Sequence, residues 1–258
     1  MTLTTEATPA VARSYRQYCA VARALDLVGE RWTLLIVRDL LTGPKRYSDL
    51  LAGLPGIGTN LLAARLRELG RTGIVGRRVL PPPAASTVYE LTDVGQELEP
   101  VVMALGRWGR RFLGSWTEGD YLSANAHVVA MRAAFRPDAA AGLIETFELR
   151  VGEQVFEVRI ADGACTTRET QPTNADVVLT LDVATLGSLL HGQLEPEEAR
   201  ANGLVNVRGD SNGLQRFAEL FAHFPREGNR TSNPSGIGAP DARAQERSLR
   251  QRKRSRPR

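Results

Sequence analysis

The chain has few cysteines, histidines and aromatic residues for its 258 positions. Its two cysteines, Cys19 and Cys165, are too few and too far apart for a disulfide framework or a metal cluster. The three histidines, His127, His191 and His223, are scattered and lack Cys, Asp or Glu at metal-ligand spacing. The sequence also has no nucleophile elbow and no glycine-rich phosphate loop. These absences argue against an enzyme, and we expect no metal and no cofactor.

Long apolar runs are missing as well. No stretch approaches the roughly 18 apolar residues that a membrane span needs, and the N-terminus lacks a basic segment followed by an apolar one. We therefore expect neither a signal peptide nor a membrane partner, and a cytoplasmic location.

The charge is distributed unevenly along the chain. Residues 1–115 carry a net charge of +5, residues 116–225 carry −8 and residues 226–258 carry +7. Basic segments attract phosphates, whereas an acidic segment is repelled by them. The two ends of the chain are therefore the candidates for contact with a polyanion.

Composition predicts four parts in this chain. Residues 1–14 are small, polar and aperiodic, which predicts a flexible arm. Residues 15–115 form a mainly helical domain, and a shift in composition near 115–123 precedes an α+β domain at 123–225. Residues 226–258 are nearly free of hydrophobic residues, which predicts a disordered basic tail.

Hydrophobic periodicity predicts the elements of the two domains. In the first domain, Ser48 is expected to cap a short helix, and Gly73 to end a longer one in a left-handed conformation. In the second, four strands form a meander-like sheet between helices. The predicted helices are 18–28, 31–41, 48–54, 59–72, 97–112, 128–135, 184–191, 196–202 and 213–224, and the strands are 74–80, 87–91, 145–151, 154–161, 164–170 and 177–182.

The order of elements in the first domain is that of a winged helix-turn-helix with a two-stranded wing. The helix at 59–72 is expected to enter the major groove of double-stranded DNA, where Asn60 can bond adenine. Its outward residues, and basic residues around it, would contact bases and phosphates. A solvated surface is the alternative for these charges. The predicted DNA-binding residues are Lys45, Arg46, Thr59, Asn60, Ala63, Ala64, Arg65, Arg67, Arg77 and Arg78.

Several segments of this domain together resemble the HxlR family of bacterial transcriptional regulators: CAVARALDLVGERW at 19–32, GPKRYSDL at 43–50 and YELT at 89–92. This chain departs from the pattern of the family at two places. Gly58 stands where the family often has a serine at the start of the recognition helix, so that Thr59 or the backbone alone would cap it. The wing tip at 81–86 has no Lys or Arg, which argues against its insertion into the minor groove.

The resemblance implies a homodimer, and two-fold symmetry implies a palindromic operator. It places the first and last helices of the domain between the subunits. Cys19 stands where some members carry a redox-responsive thiol, and Arg16 and Arg23 nearby would favour a thiolate. A small side chain packed at the interface is the alternative for Cys19. The dimer residues implied are Tyr18, Val21, Leu98, Val101, Val102, Leu105, Trp108 and Phe112.

The second domain resembles the sterol-carrier-protein-like fold through FELRV at 147–151, FEVRI at 156–160 and DVVLTLD at 176–182. The resemblance implies an apolar cavity between the sheet and the helices, although the same residues would form the core of any α+β domain. We expect this domain either to bind a small apolar ligand that modulates operator binding or to help dimerisation. A carrier of lipid or acyl groups with secondary DNA binding, and a redox regulator acting through Cys19, are the alternative functions. The candidate cavity residues are Phe135, Phe147, Phe156, Leu186, Leu190, Leu204, Phe217 and Phe221.

Overall fold

A computed structural model describes residues 14–81, 85–113 and 120–221, which belong to one compact unit. The predicted basic tail, and the predicted flexible arm except for Ser14, lie outside the described residues. Within the described ranges, no helix is long and apolar enough to cross a membrane.

The N-terminal half is helical with a small sheet. Its elements match the predicted winged helix-turn-helix order, and Gly73 has the predicted positive φ, at 75°. The predicted helix 97–112 consists of a helix that begins at Glu99 and a 3₁₀ turn, and a short helix at Asp93–Gln96 precedes it. The elements are α1 Ala20–Val28, α2 Thr33–Leu40, β1 Lys45–Arg46, α3 Tyr47–Gly53, α4 Thr59–Arg71, β2 Val75–Val79, β3 Thr87–Leu91, α5 Asp93–Gln96, α6 Glu99–Gly109 and the 3₁₀ turn Arg110–Phe112.

Two local predictions are corrected in this half. The wing is part of a three-stranded sheet in the order β1-β3-β2, because the two residues of β1 pair with β3. Ser48 is not the cap of α3. That helix begins one residue earlier, at Tyr47, and the carboxylate of Asp49 accepts the backbone N–H of Arg46 at 3.0 Å.

The C-terminal half is a five-stranded sheet with helices on one face. The strands lie in the order β6-β5-β4-β7-β8. Its elements are α7 Ala124–Ala133, β4 Glu145–Val151, β5 Gln154–Ala161, β6 Ala164–Arg168, β7 Val177–Leu181, α8 Val183–Leu190, α9 Pro196–Ala201, β8 Asn206–Gly209 and α10 Gly213–Phe221.

The predicted meander holds only for β4, β5 and β6, which tight turns join as antiparallel neighbours. β7 returns on the other side of β4 and runs parallel to it, with Phe147 opposite Val177. The longer connection at 169–176 permits this crossing, because a parallel pair cannot be closed by a hairpin turn.

Alternate residues of β4 point into the apolar core of the C-terminal half, where Phe147 and Leu149 are fully buried. Glu145 also points inward and is only 4% exposed. Its carboxylate is paired with Arg216 of α10 through two hydrogen bonds, one of them 3.1 Å long. This ion pair compensates the buried charge and attaches α10 to the sheet.

Helix α7 belongs to both halves. Its residues Val128 and Met131 are buried in the core of the C-terminal half. Val129 and Ala133, on another side of the helix, pack into the core of the N-terminal half, which is built around α2, α3 and α4. One helix therefore joins the two cores directly.

Candidate nucleic-acid interface

α3 and α4 form a helix-turn-helix whose inner faces are packed together. Leu50 and Leu54 of the first helix and its turn, and Leu62 and Leu66 of the second, are buried in one cluster. The hydroxyl of Tyr47 donates to the carbonyl oxygen of Thr59 at 2.6 Å. The start of α4 is thus held against the start of α3.

The outer face of α4 is open to solvent. Thr59, Asn60 and Arg67 are exposed, and Ala63 and Ala64 are half-buried. These are the residues that the sequence assigned to base and phosphate contacts. The structure places them on one continuous face, opposite the buried leucines.

The N-terminus of α4 has no side-chain cap. Gly58 is the N-cap residue, and its carbonyl oxygen accepts the first helical bonds, from Leu61 and Leu62 at 3.0 Å. The sequence allowed a cap from Thr59 or from the backbone alone, and in the structure the backbone alone forms it. The N–H groups of the first turn point away from the helix, in the direction where an anion is favoured.

The wing contributes a second arginine close to α4. Arg77 and Arg78 are adjacent in β2, so their side chains leave opposite faces of the strand. Arg77, Arg67 and Tyr89 line an open depression of about 400 Å³ between α4 and the wing. Among the described residues, neither Arg67 nor Arg77 has a carboxylate partner.

Arg78 is already paired. Its guanidinium donates two hydrogen bonds of 2.9 Å to the carboxylate of Glu90 on the neighbouring strand. These bonds hold the pKa of Glu90 below its usual value. The pair lies at the surface, where such a contact is weak enough for a phosphate to compete with it.

Two basic residues assigned to phosphate are already paired with carboxylates of this chain. Lys45 is 6% exposed and forms an ion pair with Glu169 of the C-terminal half, which contradicts its predicted phosphate contact. Arg65 is half-buried and bonds Glu30 at 2.8 Å. The sequence shows the charge of these residues but not the direction in which the backbone points them. Arg46 is exposed, as a phosphate contact requires.

Large apolar side chains are exposed on and just before α1, on α6, and on and just after the 3₁₀ turn. Most of the residues implied in dimerisation are among them, and the Trp108 and Phe112 rings are in edge contact at 5.0 Å. Leu98 and Val102 instead pack against the core of their own chain, so their predicted place in a dimer interface is corrected. Sequence reasoning missed Leu25 and Leu113, which continue the apolar periodicity. The dimer face is defined as Tyr18, Val21, Leu25, Val101, Leu105, Trp108, Phe112 and Leu113, each between 44% and 112% exposed.

The candidate cavity residues form the core of the C-terminal half. The Phe217 ring lies 5.6 Å from that of Phe147 and 5.0 Å from that of Phe221. Phe135 is partly buried beside them, whereas Leu204 is 42% exposed and outside the core, so its assignment was wrong. Phe156, Leu186 and Leu190 are buried in the same core.

A small depression opens beside that core. It has a volume of about 130 Å³ and lies where α8 and α10 meet the connection to α9. Leu189, Leu194 and Ala218 line it together with polar groups of Arg136 and Gln215. Leu189 and Leu194 also belong to the core, so the depression adjoins the apolar interior.

The two cysteines differ in accessibility. Cys19 is exposed and precedes α1 directly. Arg23, expected to favour its thiolate, contacts Asp26 at 3.5 Å instead. Cys165 lies on the inner face of β6, and burial raises the pKa of its thiol to about 12.

Comparison with known proteins gives two family matches. Residues 27–116 match the HxlR-like helix-turn-helix family, and residues 133–222 match the SCP-2 sterol transfer family. Similar curated proteins of Bacillus subtilis are the HTH-type transcriptional regulator YodB, 38% identical over 34% of this chain and 80% of its own, and the uncharacterized HTH-type regulator YvaP, 36% identical over 35% and 84%. The solved structure of reduced YodB is 34% identical, covers 39% of this chain and all of its own, and has a TM-score of 0.34.

The accessibility of the thiols predicts selective alkylation. In the native protein at about pH 8, iodoacetamide should modify Cys19 and leave Cys165 intact, because reaction needs an accessible thiolate. Peptide mass spectrometry after timed quenching measures both rates. Unfolding in guanidinium is the control and should expose both cysteines equally. Comparable native rates would contradict the burial of Cys165.

Proposed function

Because the chain belongs to the HxlR-like helix-turn-helix family of transcriptional regulators, we propose that it is a dimeric, sequence-specific regulator that binds a palindromic operator in double-stranded DNA. The observation that carries the proposal is the open face of α4 beside the wing. There Asn60 and Arg67 project from a helix of the width that the major groove admits, and Arg77 flanks them. Such a protein acts on chromosomal DNA in the cytoplasm.

The proposal divides the contacts by their chemistry. Thr59, Asn60, Ala63 and Ala64 face the bases, and Arg46, Arg67 and Arg77 face phosphates or base edges. Arg78 joins them if a phosphate replaces Glu90. Phosphate contacts supply affinity that falls with salt, while the side chains on α4 supply the preference for one sequence.

Arg67→Gln should weaken binding to the duplex upstream of the protein's own gene about tenfold, since one good contact contributes on the order of 1–3 kcal/mol. Titration by fluorescence anisotropy, across a salt series and against a shuffled duplex, measures the effect. Arg71→Gln is the matched control, because it removes the same charge from the same helix, where Arg71 is bonded to Glu68 at 2.7 Å. Equal losses in both variants would show that α4 contributes only net charge.

The exposed residues of the dimer face support dimerisation. Eight large exposed apolar side chains on one chain are costly in water, and a two-fold interface that includes them would bury both copies. The two α4 helices of such a dimer read the two halves of a palindrome.

Leu105→Glu should convert the dimer to a monomer, because the interface would bury two carboxylates without partners. Sedimentation velocity at micromolar concentration measures the state, and operator affinity should fall with it. Ile144→Glu is the control, since Ile144 is 75% exposed in the C-terminal half and outside the dimer face. A Leu105→Glu protein that still sediments as a dimer would overturn this assignment.

For the C-terminal half, we propose binding of a small apolar ligand that changes operator affinity. The match to the SCP-2 sterol transfer family and the depression next to an aromatic core support it. A ligand shifts affinity only by its differential binding to two arrangements of the protein. The core is tightly filled around Phe217, so binding requires its side chains to move apart.

A dansyl-labelled fatty acid tests this proposal. Its fluorescence should rise on binding, and Ala218→Trp, which narrows the depression, should weaken binding at least tenfold. Ala184→Trp is the matched control on an exposed position of α8. Binding that leaves operator affinity unchanged would favour the carrier alternative. Absence of binding would contradict the proposal that the C-terminal half binds a small apolar ligand. The redox alternative through Cys19 stays a prediction.

A further inference from the structure

The C-terminal half contacts the segment that leads into the N-terminal end of helix α3. The backbone N–H of Glu169, just after β6, donates to the carbonyl oxygen of Thr42 at 2.7 Å. The carboxylate of Glu169 pairs with Lys45 and accepts a 3.0 Å hydrogen bond from Gln154. Lys45 lies two residues before the start of α3 at Tyr47. The segment that leads into α3 is therefore attached to the edge of the large sheet.

The other end of α3 is contacted as well. The hydroxyl of Tyr121 donates to the carbonyl oxygen of Ala52 at 3.2 Å. Gly53, the last residue of α3, lies against the carboxylate of Asp39, where an added Cβ would be 3.0 Å from Oδ2. Residues outside the helix-turn-helix therefore contact the chain at both ends of α3.

Asp39 is in turn held by α7. The side-chain amide of Asn125 donates to Asp39 Oδ1 at 3.2 Å and to its carbonyl oxygen at 3.3 Å. Thr42 donates to the oxygen of the same amide. Asp39, Thr42 and Asn125 are each no more than 4% exposed, so water does not replace these bonds.

The position of α4 depends on that of α3, because the two helices are in direct contact. The Tyr47–Thr59 hydrogen bond joins the first residues of the two helices, and their leucines share one core. Well-packed side chains do not deform gradually, so a displacement of α3 moves the first turn of α4. That turn carries Thr59 and Asn60, the residues proposed to face the bases.

We propose that Tyr121, Asn125 and Glu169 are positioning residues for DNA recognition: they form a clamp that holds both ends of α3 and so sets the orientation of α4. The inference rests on the proposed function, because it names the route by which the C-terminal half acts on operator binding. The clamp touches no DNA. It affects preference for the operator and leaves the number of phosphate contacts unchanged.

The double variant Tyr121→Phe with Glu169→Gln tests the clamp in the full-length protein. Both substitutions keep the shape of the side chain, and the backbone bond from residue 169 remains. Glu153→Gln is the matched control: it removes the same charge from an exposed turn of the same half. Thermal unfolding of all three proteins verifies that the fold is kept.

The first measurement is hydrogen exchange without DNA. Amides of α3 should exchange about tenfold faster in the double variant than in the control, while those of α10 stay unchanged, because only local opening becomes easier. Unchanged exchange in α3 would overturn the clamp whatever the protein does on DNA.

The second measurement is affinity for the upstream and shuffled duplexes. The double variant should lose about tenfold in affinity for the upstream duplex relative to the control, within the usual range of intramolecular coupling. Its affinity for the shuffled duplex and its salt dependence should match the control, a separation that general destabilisation does not produce. Equal upstream affinity, or a parallel loss on both duplexes, would overturn the proposal.

A wild-type protein without preference for the upstream duplex would count against the proposed function, while exchange in α3 would still test the clamp.

Discussion

The placement of α7 in two hydrophobic cores constrains the rest of the molecule. Val129 is 4% exposed in the N-terminal core, and Val128 and Met131 are fully buried in the C-terminal one. Removing the helix from either core would expose these side chains to water, at a cost in folding free energy of about 1.5–3 kcal/mol for each large one. The two family matches end at 116 and begin at 133, so nearly all of α7 lies between them. The predicted domain boundary at 115–123 stays a prediction, but the residues after it are not a loose linker.

The polar contacts beside α7 determine how the two halves fit together. Burial raises the pKa of the Asp39 carboxyl, and the guanidinium of Arg38, 2.7 Å away, opposes that rise. The side-chain amide of Asn125 donates to the carboxylate and to the carbonyl oxygen of Asp39, and the hydroxyl of Thr42 donates to the amide oxygen of Asn125. A shift of α7 by one residue would leave these groups buried without partners, at a cost of about 1–3 kcal/mol each. Apolar packing supplies adhesion between the halves, and this cluster selects one register.

Local patterns predict elements whose own residues determine them. Alternation in β4 and β5 predicts the bounds that these strands have in the structure, and the leucine spacing of α4 predicts which face is buried. β1 and β8 have two and four residues and depend on a partner strand, which a local pattern does not reveal. The same limit explains Lys45. Its charge suggests a phosphate, but its direction depends on pairing with β3 and on a carboxylate 124 positions away.

Helix α6 connects the dimer face with the C-terminal half. On one side it presents Val101, Leu105 and Trp108 to solvent, and on another Glu99 pairs with Arg132 of α7. Arg132 also donates to the carbonyl oxygen of Leu41, at the end of α2. A helix held in this way cannot shift against α7 without breaking a partly buried ion pair. In a symmetric dimer any movement of α7 would then act on two features together: the orientation of α4 within a protomer and the spacing of the two α4 helices. If the protein binds a palindromic operator as the proposed dimer, a small change in the C-terminal half would reach the DNA by two routes, through the orientation of each α4 and through the distance between the two.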